Sequence, residues 1–122
     1  MILATLKIAV PPDRRAGVVE VFLLLLGPVR VEPGCLWCGL YQEAGNGEDL
    51  LYVEEWETAE QLERHMRSAR YERLLALMEA SDGPPVLRYH SISGAKGLEY
   101  LEAVGLGAAA PAPCAAEKLL KQ

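Results

Sequence analysis

Polar and aromatic side chains alternate along one short segment of the sequence, and a histidine follows in the next helical segment. Tyr52, Glu54 and Trp56 occupy every second position there, and His65 lies nine residues beyond Trp56. Side chains along a strand alternate between its two faces, so these three are expected to share one face. A carboxylate on a covered face must be paired, hydrogen-bonded or neutral. Glu54 is therefore a candidate base with a raised pKa, and His65 a candidate proton carrier near neutral pH.

Each of these residues also has a purely structural interpretation. Trp56 could be a core aromatic residue whose indole N–H has found a partner. Glu54 could accept backbone N–H groups at the start of the helix that begins near Thr58, where the helix dipole favours an anion. His65 could be a hydrogen-bonded group in the seam between helix and sheet. The sequence alone leaves both kinds of interpretation open.

Cysteines and histidines give no recognisable metal or redox motif. Cys35 and Cys38 form a Cys-x-x-Cys pair, but they fall within a predicted strand, where an offset of three puts the side chains on opposite faces. That arrangement argues against a disulfide. His65 and His90 are far apart in sequence and have no carboxylates clustered with them. We therefore expect no metal site, and the third cysteine, Cys114, lies in the C-terminal tail.

The elements that must position these side chains follow from the periodicity of the chain. A first helix is expected to open at Pro11-Pro12-Asp13 and to end or kink at Gly27-Pro28. Thr58 and Gln61 have the spacing of a capping box, and Ser68-Ala69 is expected to interrupt the second helical stretch. The predicted strands are Ile2–Val10, Cys35–Glu43, Asp49–Glu57 and Val86–Ile92. The stripe predicted to be buried on the first helix is Val19, Phe22, Leu23, Leu26 and Val29, and that on the second stretch is Leu62, His65, Met66, Tyr71, Leu74, Leu75 and Met78.

The order β-α-β-β-α-β predicts an α+β, ferredoxin-like fold, in which an antiparallel sheet carries its helices on one face. The other face is then uncovered. Apolar side chains expected there are Leu36, Cys38, Leu40, Leu51 and Val53. Because an exposed patch of this kind usually meets a partner, and two-fold pairing is the commonest solution, we expect a homodimer formed through the sheet face.

Composition narrows the class of protein. The chain has 122 residues, 51% of them hydrophobic, which suits one domain with a packed core. A net charge of −5 without a basic cluster argues against nucleic-acid binding. No apolar run approaches the length of a membrane span, no signal peptide is visible, and a cytoplasmic location is expected. We expect a domain over residues 1–94, a short helix within 95–106, and a mobile Ala/Pro-rich tail over 107–122.

Several short motifs together resemble the antibiotic biosynthesis monooxygenase family. The most specific is Val53-Glu54-Glu55-Trp56-Glu57-Thr58, which leads into a helix with Leu and His at the family's spacing. The other matching motifs are Val31-Glu32-Pro33-Gly34-Cys35, Leu40-Tyr41, Leu62, His65, Ser68 and Pro84-Pro85. These motifs are spread over most of residues 1–94, in the order and on the elements that the family has.

The resemblance implies a dimeric α/β barrel that oxygenates quinols or polycyclic aromatic phenols without a cofactor, or degrades haem in one branch. Trp56 matches the family's tryptophan, Glu54 the carboxylate two residues before it, and His65 a frequent histidine. Tyr52 stands where the polyketide-oxidising branch has an asparagine, and it could still donate a hydrogen bond to a quinol oxygen. The haem branch is disfavoured because the first strand lacks its asparagine and residues 71–78 lack its axial histidine.

The leading hypothesis is thus a cofactor-independent monooxygenase acting on a quinol or polycyclic aromatic phenol. Its predicted catalytic residues are Trp56, His65 and Glu54, and its predicted substrate-binding residues are Tyr52, Leu62 and Met66. Two alternatives share the same fold. One is a dimeric barrel that binds a hydrophobic small molecule without turnover, and the other is a structural dimer that serves a protein partner.

Overall fold

A computed structural model describes residues 1–45 and 49–106 of the chain. The expected tail and part of the loop Gly45-Asn46-Gly47 lie outside the described residues. The elements are β1 (Ile2–Ala9), α1 (Pro12–Arg30), β2 (Cys35–Gln42), β3 (Asp49–Trp56), α2 (Ala59–Met66), α3 (Ala69–Met78), β4 (Val86–Ser91) and α4 (Leu98–Val104). The predicted order of strands and helices is confirmed.

The four strands form one antiparallel sheet in the order β2-β3-β1-β4, the arrangement of a ferredoxin-like α+β fold. The sheet is open at β2 and β4 and does not close into a barrel within residues 1–45 and 49–106. Burial alternates strictly along β3, so Leu50, Tyr52, Glu54 and Trp56 face the helices. Their neighbours on β1 are Ala4, Leu6 and Ile8, and the core lies between this face and the helices.

Helix α1 runs through Pro28 to Arg30 and does not end at Gly27-Pro28, so the prediction that it could end there is wrong. Proline removes the N–H that would have bonded to the carbonyl of Leu24 four residues earlier. Leu24 is 70% exposed, so this turn of the helix lies at the surface, where an unbonded carbonyl can be solvated. The buried stripe of α1 is Val18, Phe22, Leu25, Leu26 and Val29, which corrects the assignment of Leu23 to the core.

A bulge in β2 changes which of its side chains face the helices. The register shifts between Cys35 and Trp37, so Cys35 pairs with Trp56 and Cys38 with Glu54. Both partners face the helices, and both cysteines therefore lie on that side of the sheet, one half-buried and the other fully buried. The predictions that the two cysteines lie on opposite faces, and that Cys38 and Leu40 belong to the uncovered face, are wrong because one unpaired residue inverts the alternation.

The uncovered face of the sheet carries Leu51 and Val53, as predicted, together with Trp37 and Tyr41 from β2. The indole N–H of Trp37 donates to the Tyr41 hydroxyl at 2.9 Å. Both side chains close over Gly39, where an added Cβ would lie about 3 Å from each. Trp37 is 41% exposed and Tyr41 47%, so this aromatic pair adds apolar area to the face.

The helical layer is built as its caps predict. Thr58 accepts the backbone N–H of Gln61 and begins α2, and Ser68 accepts that of Tyr71 and begins α3. The buried side chains of α2 and α3 are Leu62, His65, Tyr71, Leu74 and Leu77. The prediction that Leu75 is buried is wrong, because Leu75 is exposed and Leu77 is buried instead. Helix α4 buries none of its side chains. Among the described residues, no helix is both long enough and apolar enough to cross a membrane.

Candidate functional site

Glu54 lies at the centre of a buried polar cluster on β3. Only 2% of its surface is exposed, and its carboxylate accepts three side-chain hydrogen bonds. The Tyr52 hydroxyl donates to Oε2 at 2.5 Å, the Trp56 indole N–H donates to Oε1 at 3.0 Å, and His65 Nε2 lies 3.0 Å from Oε2. Because charged groups are retained in a core only when they are paired, this cluster explains how a carboxylate sits among apolar residues.

His65 stands between two carboxylates. Its Nδ1 lies 2.7 Å from Glu32 Oε2, an ion-pair distance without a well-aligned hydrogen bond, while Nε2 faces Glu54. The imidazole stacks on Trp56 with centroids 4.8 Å apart and meets the edge of Tyr71 at 5.5 Å. Packing on both sides fixes the plane of the ring, so each nitrogen points towards one carboxylate.

The cluster shifts the proton affinities of its members. Burial by itself lowers the pKa of His65, but the hydrogen bond and charge of Glu54 and the charge of Glu32 outweigh it and raise the pKa above its usual value. Burial, reinforced by the charge of Glu54, strongly raises the pKa of Tyr52, which stays a hydrogen-bond donor. Burial also raises the pKa of Cys38 to about 12 and that of Cys35 to about 11, so neither is a ready thiolate.

One hollow borders this cluster, and a second lies beside the first and shares Tyr89 with it. The inner one is bordered by Tyr52, Glu54, Tyr71 and Tyr89 and holds about 10 Å³, room for about one water molecule. The outer one is an apolar groove of about 260 Å³ between α2 and β4. Its lining residues are Ile2, Ala59, Leu62, Glu63, Met66 and Tyr89. Tyr89 borders both hollows, and its hydroxyl lies 2.7 Å from that of Tyr71.

The structure brings most of the predicted site residues into one region. Tyr52, Glu54, Trp56 and His65 form the polar cluster, whereas Leu62 and Met66 line the outer groove. Trp56 is fully buried and borders neither hollow. His90 is not part of the site, because it lies exposed on the other face of the sheet, opposite Leu3.

The interpretation of Glu54 as a cap for the helix start is wrong. Its oxygens are occupied by the side chains of Tyr52, Trp56 and His65, and the start of α2 is capped by Thr58 instead. Trp56 lies two positions from Glu54 on the same face of β3, so its indole N–H reaches the carboxylate. This hydrogen bond helps to satisfy Glu54 without the helix dipole.

Sequence reasoning missed three residues of the region, namely Glu32, Tyr71 as a polar group, and Tyr89. Glu32 precedes the turn Pro33-Gly34, and its approach to His65 depends on how α1 returns to the sheet. The only signal for Tyr89 is its place on β4, opposite Ala4 and hence on the helix face. Within residues 1–45 and 49–106, no group of three His, Cys, Asp or Glu side chains could hold a metal ion.

Fold and site together define a small α+β sheet domain with a buried Tyr–Glu–Trp–His cluster. The sequence model of the antibiotic biosynthesis monooxygenase family matches residues 1–77, which is more than half of the chain. The chain belongs to this family, as the motif Val53-Glu54-Glu55-Trp56-Glu57-Thr58 indicated. Membership supports a monooxygenase type of function. No curated protein matches the sequence.

Solved structures share the fold. A conserved protein from Methanosarcina mazei is 28% identical, with a TM-score of 0.68 over 73% of this chain and 89% of its own. A candidate antibiotic biosynthesis monooxygenase from Caulobacter crescentus is 25% identical, with a TM-score of 0.68 over 76% of this chain and 90% of its own. One from Deinococcus radiodurans has a TM-score of 0.73 over 80% and 97% of the two chains, but only 12% identity. The fold is thus kept at identities where few side chains are shared.

Proposed function

We propose that the protein is a monooxygenase of electron-rich quinols or polycyclic aromatic phenols, and that Glu54 is its base. The observation that carries the proposal is a buried carboxylate that borders a hollow next to an apolar groove. Such a substrate can reduce dioxygen itself once it is deprotonated, so the protein needs to supply a base, orientation and a water-poor environment.

The proposed reaction converts a phenol and dioxygen into a quinone and water; a quinol gives a hydroxyquinone and water by the same steps. Glu54 takes the phenolic proton, and the phenolate passes an electron to dioxygen. The two radicals combine into a ring peroxide, which takes the proton back from Glu54. The O–O bond then breaks as the ring carbon loses its hydrogen, so that one oxygen atom becomes the second quinone carbonyl and the other leaves as water. His65 and Trp56 act by donating hydrogen bonds to Glu54 while it is ionised.

The proposed binding mode uses both hollows. The aromatic rings would lie in the apolar groove against Leu62 and Met66, and the hydroxyl would point towards Glu54. The inner hollow of about 10 Å³ is too small for a ring, so Tyr89 must swing away from Tyr71 to join the two spaces. Tyr89 lies on an edge strand and is 43% exposed, which leaves it room to move.

Oxygen uptake with a reduced naphthoquinol and a polycyclic phenol tests the proposal, with ¹⁸O₂ to trace the oxygen atom in the product. We expect uptake well above buffer, one ¹⁸O per product molecule, and a loss of about a hundredfold or more for Glu54→Gln. Glu72→Gln, an exposed carboxylate on α3, is the matched control. No acceleration across several such substrates would refute the activity, and tight binding without turnover would favour a ligand-binding barrel.

We also propose that the protein is a homodimer joined through the uncovered sheet face. Leu51, Val53, Trp37 and Tyr41 give that face a continuous apolar surface. Sedimentation should give a mass of twice 13.3 kDa for the wild type and of one chain for Val53→Glu. Leu24→Glu, which adds the same charge at an exposed leucine of α1, should remain dimeric. A monomeric wild type or a dimeric Val53→Glu would contradict this assembly.

A cytoplasmic location completes the proposal. Cys35 and Cys38 are free thiols on the same side of the sheet. Reduced cysteines are typical of proteins in a reducing compartment. Thiol labelling of the protein in intact cells should find both cysteines reduced, whereas an oxidised pair would argue for another compartment.

A further inference from the structure

We propose that Glu32 is a positioning residue that holds His65 as an imidazolium, so that Glu54 is kept in its ionised form. The consequence for catalysis rests on the proposed function, but the effect on the charge of His65 does not. Glu32 lies in the connection between α1 and β2, outside the strand that carries the other polar residues.

The two carboxylates that face the imidazole favour its protonated form. Nδ1 lies 2.7 Å from Glu32 and Nε2 lies 3.0 Å from Glu54. A neutral histidine carries a proton on one nitrogen and a lone pair on the other. Either neutral tautomer would therefore press a lone pair against a carboxylate oxygen, whereas the imidazolium donates towards both. With Glu32 neutralised, the tautomer protonated at Nε2 would satisfy Glu54 without any positive charge.

The other groups that face His65 do not replace Glu32. Glu54 approaches from β3, and Tyr71 from α3 presents only a ring edge at 5.5 Å. Arg70 of α3 lies behind Glu32, with its guanidinium 3.8 Å from Oε1, so it competes with His65 for the same carboxylate. The side chain of Glu32 is only 16% exposed, which limits the screening of its charge by water.

This arrangement matters for the base because a buried carboxylate needs its donors. An imidazolium on Oε2 adds a full positive charge next to Glu54, at the hydrogen-bond distance that the structure gives. Loss of that charge favours protonation of Glu54, and a protonated Glu54 cannot accept the proton of a phenol. Glu32 does not line the inner hollow that Glu54 borders. It would therefore act on the reaction through His65.

The charge of His65 can be measured directly, since the chain has only two histidines and the other, His90, is exposed and serves as an internal reference. In an NMR titration of the imidazole ¹⁵N resonances, Glu32→Gln should lower the pKa of His65 by about one unit or more, a tenfold loss of proton affinity. Arg70→Gln should raise it, because Glu32 then has no competing cation. Glu60→Gln, an exposed carboxylate on α2, should leave it unchanged.

Opposite shifts in Glu32→Gln and Arg70→Gln support the proposal. An unchanged His65 titration in Glu32→Gln overturns it, even if that variant melts at a lower temperature, since a purely structural role predicts only the loss of stability. If Glu32→Gln does not fold, Arg70→Gln decides, because an unchanged or lowered pKa of His65 there overturns the proposal.

Turnover gives the second readout. In the naphthoquinol assay, the acidic limb of kcat/KM, where a general base is lost by protonation, should move to higher pH in Glu32→Gln and keep its wild-type position in Glu60→Gln. If no substrate is turned over, the proposed function is refuted. The NMR titration would still decide whether Glu32 holds His65 as an imidazolium. Turnover with an unmoved acidic limb in Glu32→Gln would refute the link from Glu32 to the base.

Discussion

Replacing Trp56 by phenylalanine tests whether the indole N–H holds the buried carboxylate in place. Phenylalanine retains an aromatic ring against His65 but removes the donor that lies 3.0 Å from Glu54 Oε1. A hydrogen bond to a charged group contributes about 1.5–3 kcal/mol. The smaller ring also leaves a gap at a position that is fully buried, which adds about 1–2 kcal/mol. The expected loss is therefore about 2.5–5 kcal/mol in the free energy of unfolding.

Urea denaturation followed by far-UV circular dichroism, at one fixed protein concentration, measures this loss. The double-mutant cycle with Glu54→Gln separates the hydrogen bond from the gap, because only the hydrogen bond depends on both residues. A coupling free energy of about 1 kcal/mol or more is expected. A loss below about 1 kcal/mol for Trp56→Phe, or no coupling in the cycle, would refute the view that the carboxylate depends on the indole.

Three further outcomes follow from the described contacts. Because the pKa of His65 is raised in the folded state, its contribution to stability is complete below the unfolded pKa of about 6.5 and is lost as pH rises through the folded value. The difference in unfolding free energy between wild type and His65→Gln should therefore fall as pH rises above about 6.5, and a flat difference would contradict the assignment. Gly34→Ala should lower Tm clearly, because φ is +88° and an added Cβ would also displace the end of the Gln61 side chain, whereas an unchanged Tm would show that the turn relaxes freely. Thr58→Ala should cost about 1 kcal/mol in urea denaturation through loss of the cap on Gln61, and Thr58→Ser should restore most of it.

The fold could be predicted because its main signals are local. The strict alternation in β3 assigned Tyr52, Glu54 and Trp56 to the helix face, and Thr58 and Ser68 marked the two helix starts. The failures also have local causes. One unpaired residue in β2 inverted the faces of Cys38 and Leu40, and no composition signal announces a bulge. Pro28 is tolerated on an exposed turn of α1, and which turn is exposed depends on the packing of the whole helix.

The candidate site was predicted less completely than the fold. The members of the cluster that lie on β3, together with His65 of α2, were found from spacing and from the family's motif. Glu32 was not, since its 2.7 Å approach to His65 arises only when the end of α1 returns to the sheet. The partners of Glu54 could not be chosen from sequence either, because a buried carboxylate requires donors without specifying whether backbone or side chains supply them.

Strand β4 has a looser attachment than the rest of the sheet, which follows from its place at the edge. It pairs only with β1, all six of its residues are exposed, and the Tyr71–Tyr89 hydroxyl contact ties it to the helical layer. Amide protons of β4 should therefore exchange with deuterated solvent sooner than those of the central β3. Fraying of this strand would carry Tyr89 away from Tyr71, so motion of an edge strand would ease the entry of a bulky molecule into the interior around Glu54.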